Sequence, residues 1–171
     1  SRYPLPEQEA EAKAKRRLGL GVTGLANALI FMRIRYGSPE AAAQAKAWMA
    51  LIEAEAYRAS AELAEEKGVF PLYNAAEFAA LARIGGLPID VRQSMAAHGL
   101  RNGLLTSIAP TGTISLFAGN VSSGVEPVFA ASYERKVLMP DGTRRTETIT
   151  DYVVRKYRAL VADPQALPPA F

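Results

Sequence analysis

The stretch from Ser38 to Lys67 constrains the fold most. Ser38 is a good helix N-cap, Pro39 stands at the first helical position, and Glu40 puts a negative charge in the first turn. Gly68 supplies the stop. Between them Trp48, Ile52, Ala56, Ala59 and Leu63 recur at intervals of three and four, the spacing of one buried stripe, with Trp48 in the core. A helix of this kind needs a core to lie on. The chain has 171 residues, enough for one domain, since a chain this size buries roughly two-thirds of its unfolded surface.

The rest of the first two-thirds also reads as helix. Residues 5–17 are charged and Ala-rich, and residues 18–35 carry Leu25, Leu29 and Met32 before Tyr36-Gly37. Asn74 can cap a helix over 75–83, ended by Gly85-Gly86, and Asp90 another up to His98, closed by Gly99. The texture then changes. Leu104–Ala109 reads as a buried strand, and residues 113–118 as a short helix. Tyr133–Met139 and Thr143–Ile149 flank Pro140-Asp141-Gly142, a hairpin signal with a turn mechanism. Thr150 or Asp151 caps a last helix to about Val161, and a tail with Pro164, Pro168 and Pro169 follows. One strand and one hairpin make a poor sheet, so the sheet is expected to be completed by polypeptide beyond these residues. The absence of an initiator Met and the Pro-rich end suggest an excised piece.

Composition removes several chemistries. There is no cysteine, which excludes a disulfide scaffold, a zinc ribbon, an iron–sulfur site and thiol chemistry within this chain. A single histidine, His98, makes a histidine-based metal site poor, and its place in a helical last turn suits a donor to the helix end. No apolar run approaches the roughly 18 residues of a membrane span, and the first eight residues do not form a signal peptide. The net charge of +3 is a weak nucleic-acid footprint. The carboxylates of Glu55, Glu62, Glu65 and Glu66 lack a helical histidine partner and read as a solvated face.

Three motifs remain. Gly19-Leu20-Gly21-Val22-Thr23-Gly24 has the letter pattern of a dinucleotide loop, but no buried strand precedes it, so close helix–helix approach through small residues is expected instead. In Ser122-Ser123-Gly124-Val125-Glu126-Pro127, turn residues hold Glu126, which reads as a structural hydrogen-bond acceptor. Pro110-Thr111-Gly112-Thr113-Ile114-Ser115 lies between an apolar run and a short helix. Free backbone N–H groups, three hydroxyls and the positive end of a helix suit it to phosphate oxygens, without the lysine of a Walker loop. An ordinary capped helix start is the other reading.

These segments also stand in a recognisable order. Arg17–Ala26, Tyr36-Gly37-Ser38, Glu65-Glu66-Lys67-Gly68, Gly99-Leu100-Arg101-Asn102-Gly103 into Ile108–Ser115, and Ser122–Pro127 resemble successive landmarks of the large subunit of ribonucleotide reductase. The likeness covers roughly residues 16–160. The Pro-Thr-Gly-Thr-Ile-Ser wording and the stretch from Tyr133-Glu134-Arg135 to Asp141-Gly142 most resemble the adenosylcobalamin-dependent class II enzymes.

The resemblance implies an α/β fold: a helix-rich fragment of a ten-stranded α/β barrel, with a few strands and one β-hairpin. Residues 1–163 would be part of the catalytic barrel, with a lead-in over 1–16, and 164–171 a Pro-rich tail. It implies radical reduction of a ribonucleoside di- or triphosphate, adenosylcobalamin as cofactor, a cytoplasmic setting, and the remainder of the reductase chain and a homodimer as partners. Membrane and nucleic acid are not expected partners. Thr111, Gly112, Thr113, Ile114 and Ser115 inherit the substrate-phosphate role. The radical cysteine would precede Ser1, so the isolated chain is expected to be inactive. The competing reading is a stand-alone helical nucleotide- or nucleic-acid-binding module, with Arg135, Lys136, Arg144 and Arg145 as a basic hairpin.

Overall fold

A computed structural model of the chain describes residues 3–161, 163 and 165–171. The fold divides into two compact units, residues 1–20 with 46–107, and residues 21–45 with 108–171. Pro164 of the expected tail and the first two residues of the expected lead-in lie outside the described residues.

The first unit begins with α1 (Pro6–Lys15), which buries none of its residues. Local charge supports it instead. Proline opens the helix, Glu7 and Glu9 occupy the first turn, Lys13 and Lys15 the last, and Lys13 pairs with Glu9 one turn earlier. The long helix α3 (Pro39–Lys67) follows the expected bounds. Its start lies in the second unit, where the Ala41 N–H donates to Ser38 Oγ at 3.1 Å, the expected N-cap.

The buried stripe of α3 is not the expected one. Trp48, Ile52, Ala56 and Leu63 are half-buried and Ala59 is exposed, whereas Ala54, Ser60, Ala61 and Ala64 are buried. The first unit's core joins Ala54 and Ala61 to Phe70, Ile84, Leu87, Val91, Met95 and Leu100. Small alanines let the helix backbone approach its neighbours closely, and the helix turns that face inward rather than its larger apolar residues.

Asn74 caps as expected, accepting from the N–H groups of Ala76 and Glu77. The helix it starts is broken in two, α4 (Ala75–Ala79) and α5 (Ala82–Gly85), because Leu81 turns extended. Helix α6 (Ile89–His98) begins one residue before Asp90. Asp90 is therefore a first-turn residue rather than the cap, and its carboxylate meets Arg58 at 2.6 Å. Gly99 closes α6 with φ of +74°, and a Cβ there would clash with Val69 Cγ1. His98 lies in the last turn as expected, with Nδ1 3.8 Å from Glu65.

The glycine-rich stretch shortens the expected helix over 18–35 to Leu25–Phe31 and replaces the expected helix–helix contact. Leu18–Leu20 is extended and runs beside residues 104–107, with a parallel bridge between Leu20 and Thr106. Leu18 N–H donates to Leu104 O at 2.7 Å, and Ser107 N–H to Leu20 O at 2.9 Å. Gly19 lies close to this partner, since a Cβ would stand 2.9 Å from Ser107 Oγ, a hydroxyl that a change of rotamer would move aside. Glycine is poor in a helix interior, and here the backbone pairs across the chain instead. The expected buried strand at 104–109 is likewise corrected: among these residues only Leu105 is buried, and no strand beyond the single bridge forms.

In the second unit helix α2 is short (Leu25–Phe31), and α7 spans Gly112–Phe117. Strands β1 (Ser132–Leu138) and β2 (Arg144–Thr150) pair antiparallel with Ser132 opposite Thr150. Their turn works as the sequence indicates: Asp141 accepts from the Thr143 N–H at 2.9 Å and Gly142 has positive φ. Asp151 caps α8 (Tyr152–Arg158), which ends three residues before the expected Val161. Ile30 packs with Val153 and Val154, and Ala170 of the tail leans on that cluster. The one regular sheet among the described residues is this two-stranded hairpin, so a closed barrel is not present in them.

Candidate functional site

The Pro110–Ser115 segment enters α7 through an uncommon backbone conformation. Thr111 lies in the left-handed region, φ 50° and ψ 20°. A β-branched residue there is a genuine outlier, costing about 1–3 kcal/mol unless its surroundings hold it. They do. The Gly124 N–H donates to Thr111 Oγ1 at 2.7 Å, and the Ser115 N–H donates to Thr111 O at 2.8 Å.

With its hydroxyl oxygen committed to Gly124, Thr111 does not cap the helix. The backbone N–H groups of Gly112, Thr113 and Ile114 therefore have no protein acceptor among the described residues. All three residues are exposed, and a Cβ at Gly112 would meet nothing within 4 Å. Three uncommitted donors at a helix start, beside a Thr113 hydroxyl with no partner among the described residues, suit an anion.

Ser115 plays a different part. It is buried, and its Oγ donates to Gly112 O at 2.9 Å and lies 3.1 Å from Ser123 Oγ. Ser115 thus braces the turn from inside. A cavity of about 360 Å³ lies behind the loop, lined by Gly112, Ser115, Ser123, Glu126, Tyr133 and Asp151 among others. Its lining includes two carboxylates and no lysine or arginine. It is therefore a poor seat for an anion, and the three uncommitted N–H groups lie on the exposed residues 112–114 instead.

The expected role of Glu126 is not found. The residue is exposed and its carboxylate has no partner among the described residues; only its backbone N–H bonds, to Ser123 O at 2.9 Å. The neighbouring serines and Gly124 make the contacts instead. Residues missed by sequence reasoning stand behind them. Asn27, Ser122 and Asp151 are buried polar groups, and Asn27 Nδ2 donates to Asp151 Oδ1 at 2.8 Å. Asp151 was legible as a cap, but no local pattern marks a partner 124 residues away.

Burial pushes the Asp151 carboxyl above the usual carboxylate range, against the opposing pull of the Val153 N–H and the Asn27 amide. The sign follows from linkage. A carboxyl that is harder to ionise in the folded protein than in the unfolded chain costs stability as pH rises from its ordinary value through its raised one. Asparagine caps helices about as well as aspartate. Asp151→Asn is therefore expected to raise the urea midpoint at neutral pH, with the gain shrinking in mild acid. A gain that is equal at both pH values, or a loss at neutral pH, contradicts this assignment.

The basic hairpin does not form one patch. Alternation places Arg135 and Arg145 on one face with Glu147, and Lys136 and Arg144 on the other with Glu134. Arg145 already meets Glu147 at 3.4 Å. The glutamates of α3 at 55, 62, 65 and 66 are exposed, and no group of three or more His, Cys, Asp or Glu is placed to hold a metal among the described residues. No helix among them is long and apolar enough to cross a membrane.

Comparison with known proteins gives the family directly. Residues 1–166 match the family described as ribonucleotide reductase, barrel domain, and the chain belongs to it. It is 43% identical over 138 residues to a vitamin B12-dependent ribonucleoside-diphosphate reductase of Mycobacterium tuberculosis, covering 81% of this chain and 18% of that protein. The enzyme of the same name from Thermoplasma acidophilum is 37% identical over 81% of this chain and 16% of its own length. A ribonucleoside-diphosphate reductase large subunit of Caenorhabditis elegans is 34% identical, over 81% of this chain and 19% of its own length. The chain spans less than a fifth of the length of each.

Proposed function

We propose that residues 1–163 are part of the catalytic barrel of a ribonucleotide reductase, with 164–171 as its tail, and that Thr111–Ser115 hold the substrate's phosphates. The observation that carries this reading is the set of three uncommitted N–H groups at Gly112, Thr113 and Ile114, held open by Thr111 in its left-handed conformation. In this arrangement the amides and the Thr113 hydroxyl contact phosphate. Thr111 and Ser115 fix the turn. The relatives' names favour a ribonucleoside diphosphate as substrate.

Removing a ribose hydroxyl as water requires two electrons. With no cysteine this chain has no thiol to give them, so the reducing groups belong to the remainder of the reductase chain. Exposed apolar side chains support such a neighbour: Phe117 is 94% and Phe129 88% exposed, a poor arrangement for a surface left in water. A homodimer of the whole protein, acting in the cytoplasm, completes the reading.

The likeness to vitamin B12-dependent enzymes supports adenosylcobalamin as the cofactor of the whole protein. The residues described do not fit it. Three cavities among the described residues measure about 360, 520 and 580 Å³, each too small for a corrin with its axial groups, and the lone histidine stands at a helix end beside Glu65. The cofactor would be held by polypeptide outside this chain.

The test is turnover. The parent protein, given adenosylcobalamin, a dithiol and a ribonucleoside diphosphate, is expected to form deoxyribonucleotide, and the pure 171-residue chain is expected to form none. Activity of the chain alone, or inactivity of the parent with every nucleotide supplied, would overturn the proposal.

A further inference from the structure

The loop that presents the amides is tied to the interior by an ordered set of buried hydrogen bonds. Asn27 is 3% exposed and its amide is used at both ends. Nδ2 donates to Asp151 Oδ1 at 2.8 Å, and Oδ1 accepts from the Ser122 N–H at 2.6 Å. A carboxylate oxygen can only accept and a backbone N–H can only donate, so the amide cannot reverse without losing both bonds. Ser122 is held a second time, as its Oγ accepts from the Ala26 N–H at 3.2 Å and its carbonyl from the Gly24 N–H at 2.7 Å. The next two residues then reach the loop, Ser123 through Ser115 and Gly124 through Thr111.

We propose that Asn27 and Asp151 are positioning residues for the substrate-phosphate loop, acting through Ser122–Gly124 on Thr111 and Ser115. The proposal rests on the reading of Thr111–Ser115 as that loop. Asp151 sets the direction of the Asn27 amide, and Asn27 sets the place of the Ser122 backbone. Gly124 then holds Thr111 in the conformation that leaves the three amides open. Buried polar networks that are fully bonded fix one arrangement of the chain, and this one fixes the arrangement the ligand needs.

The experiment uses the full-length reductase containing this chain, with KM and kcat for a ribonucleoside diphosphate measured alongside thermal unfolding. Asn27→Asp places two carboxylates against each other and is expected to raise KM at least tenfold. The exchanged pair Asn27→Asp with Asp151→Asn restores the bond between the two side chains with donor and acceptor exchanged and keeps an acceptor for the Ser122 N–H, at the expense of the Val153 N–H that shares Asp151 Oδ1. It is expected to return KM to within about threefold of the starting protein. Ser123→Ala removes only the outer link, and is expected to raise KM severalfold with kcat and the unfolding temperature little changed; it decides the matter if Asn27→Asp does not fold. Recovery of unfolding temperature without recovery of KM in the exchanged pair would overturn the proposal, as would an unchanged KM in both Asn27→Asp and Ser123→Ala. Gly112→Val separates the two readings. If it raises KM while the network variants do not, the positioning role fails and the loop stands. If it too leaves KM unchanged, the loop assignment fails.

Discussion

Gly112→Val in the full-length reductase should weaken substrate binding about tenfold or more, roughly 1.4 kcal/mol, with stability preserved. The protein itself does not need glycine here. Its φ is not positive, and a Cβ would meet no other atom within 4 Å. Valine is no worse than glycine in a helix, so folding has no reason to suffer. What the branched side chain would occupy is the space in front of the amides of residues 112–114. The loss should therefore fall on the ligand alone. It should appear as a raised apparent Kd for the nucleoside diphosphate, measured by competition or by KM, with an unchanged unfolding temperature. An unchanged Kd would remove Thr111–Ser115 from the substrate site.

Gly124→Ala should do the reverse, harming the fold first and the site in consequence. Gly124 has φ +48°, a conformation costing an L-residue about 1–2 kcal/mol. A Cβ there would also stand 2.8 Å from the carbonyl oxygen of Ala109, which is backbone and cannot swing aside as a flexible side chain would. Such overpacking costs about 1–3 kcal/mol, so the variant should lose about 2–4 kcal/mol in equilibrium unfolding. The same displacement moves the N–H that holds Thr111 Oγ1, so substrate affinity should fall as well. A stability change below about 0.5 kcal/mol, the usual range of a neutral surface substitution, would show that the 124 region yields freely.

The two variants separate functions that a sequence alone merges. Both positions are glycines in short glycine–hydroxyl motifs. At Gly112 the free space lies outside the protein. At Gly124 it is filled by the protein's own backbone.

The parts of the fold legible in the sequence are those whose energetics close within a few residues. The Ser38 and Asn74 caps, the Pro140–Thr143 turn and the charged face of α1 all depend on groups one to four positions apart. The order of motifs also marked the family, which the match over residues 1–166 bears out. The Pro110–Ser115 segment was legible as a donor-rich helix start, but not the division of labour inside it. That Ser115 faces inward and that Thr111 takes the left-handed conformation depend on Ser123 and Gly124, residues from another turn of the chain.

The sequence by itself determined the capped starts of α3, α4 and α8, where the hairpin turns, and that no thiol can act from this chain. The tertiary structure decided which side of α3 is buried. It decided that the Gly19 segment pairs as extended backbone with residues 104–107, and that Asn27 meets Asp151. The physical reason is one of range. Caps and turns are selected by the local energy of the backbone. A buried face or a buried hydrogen bond is selected by whatever distant segment excludes water from it, and in the Asn27–Asp151 pair that segment lies 124 residues along the chain.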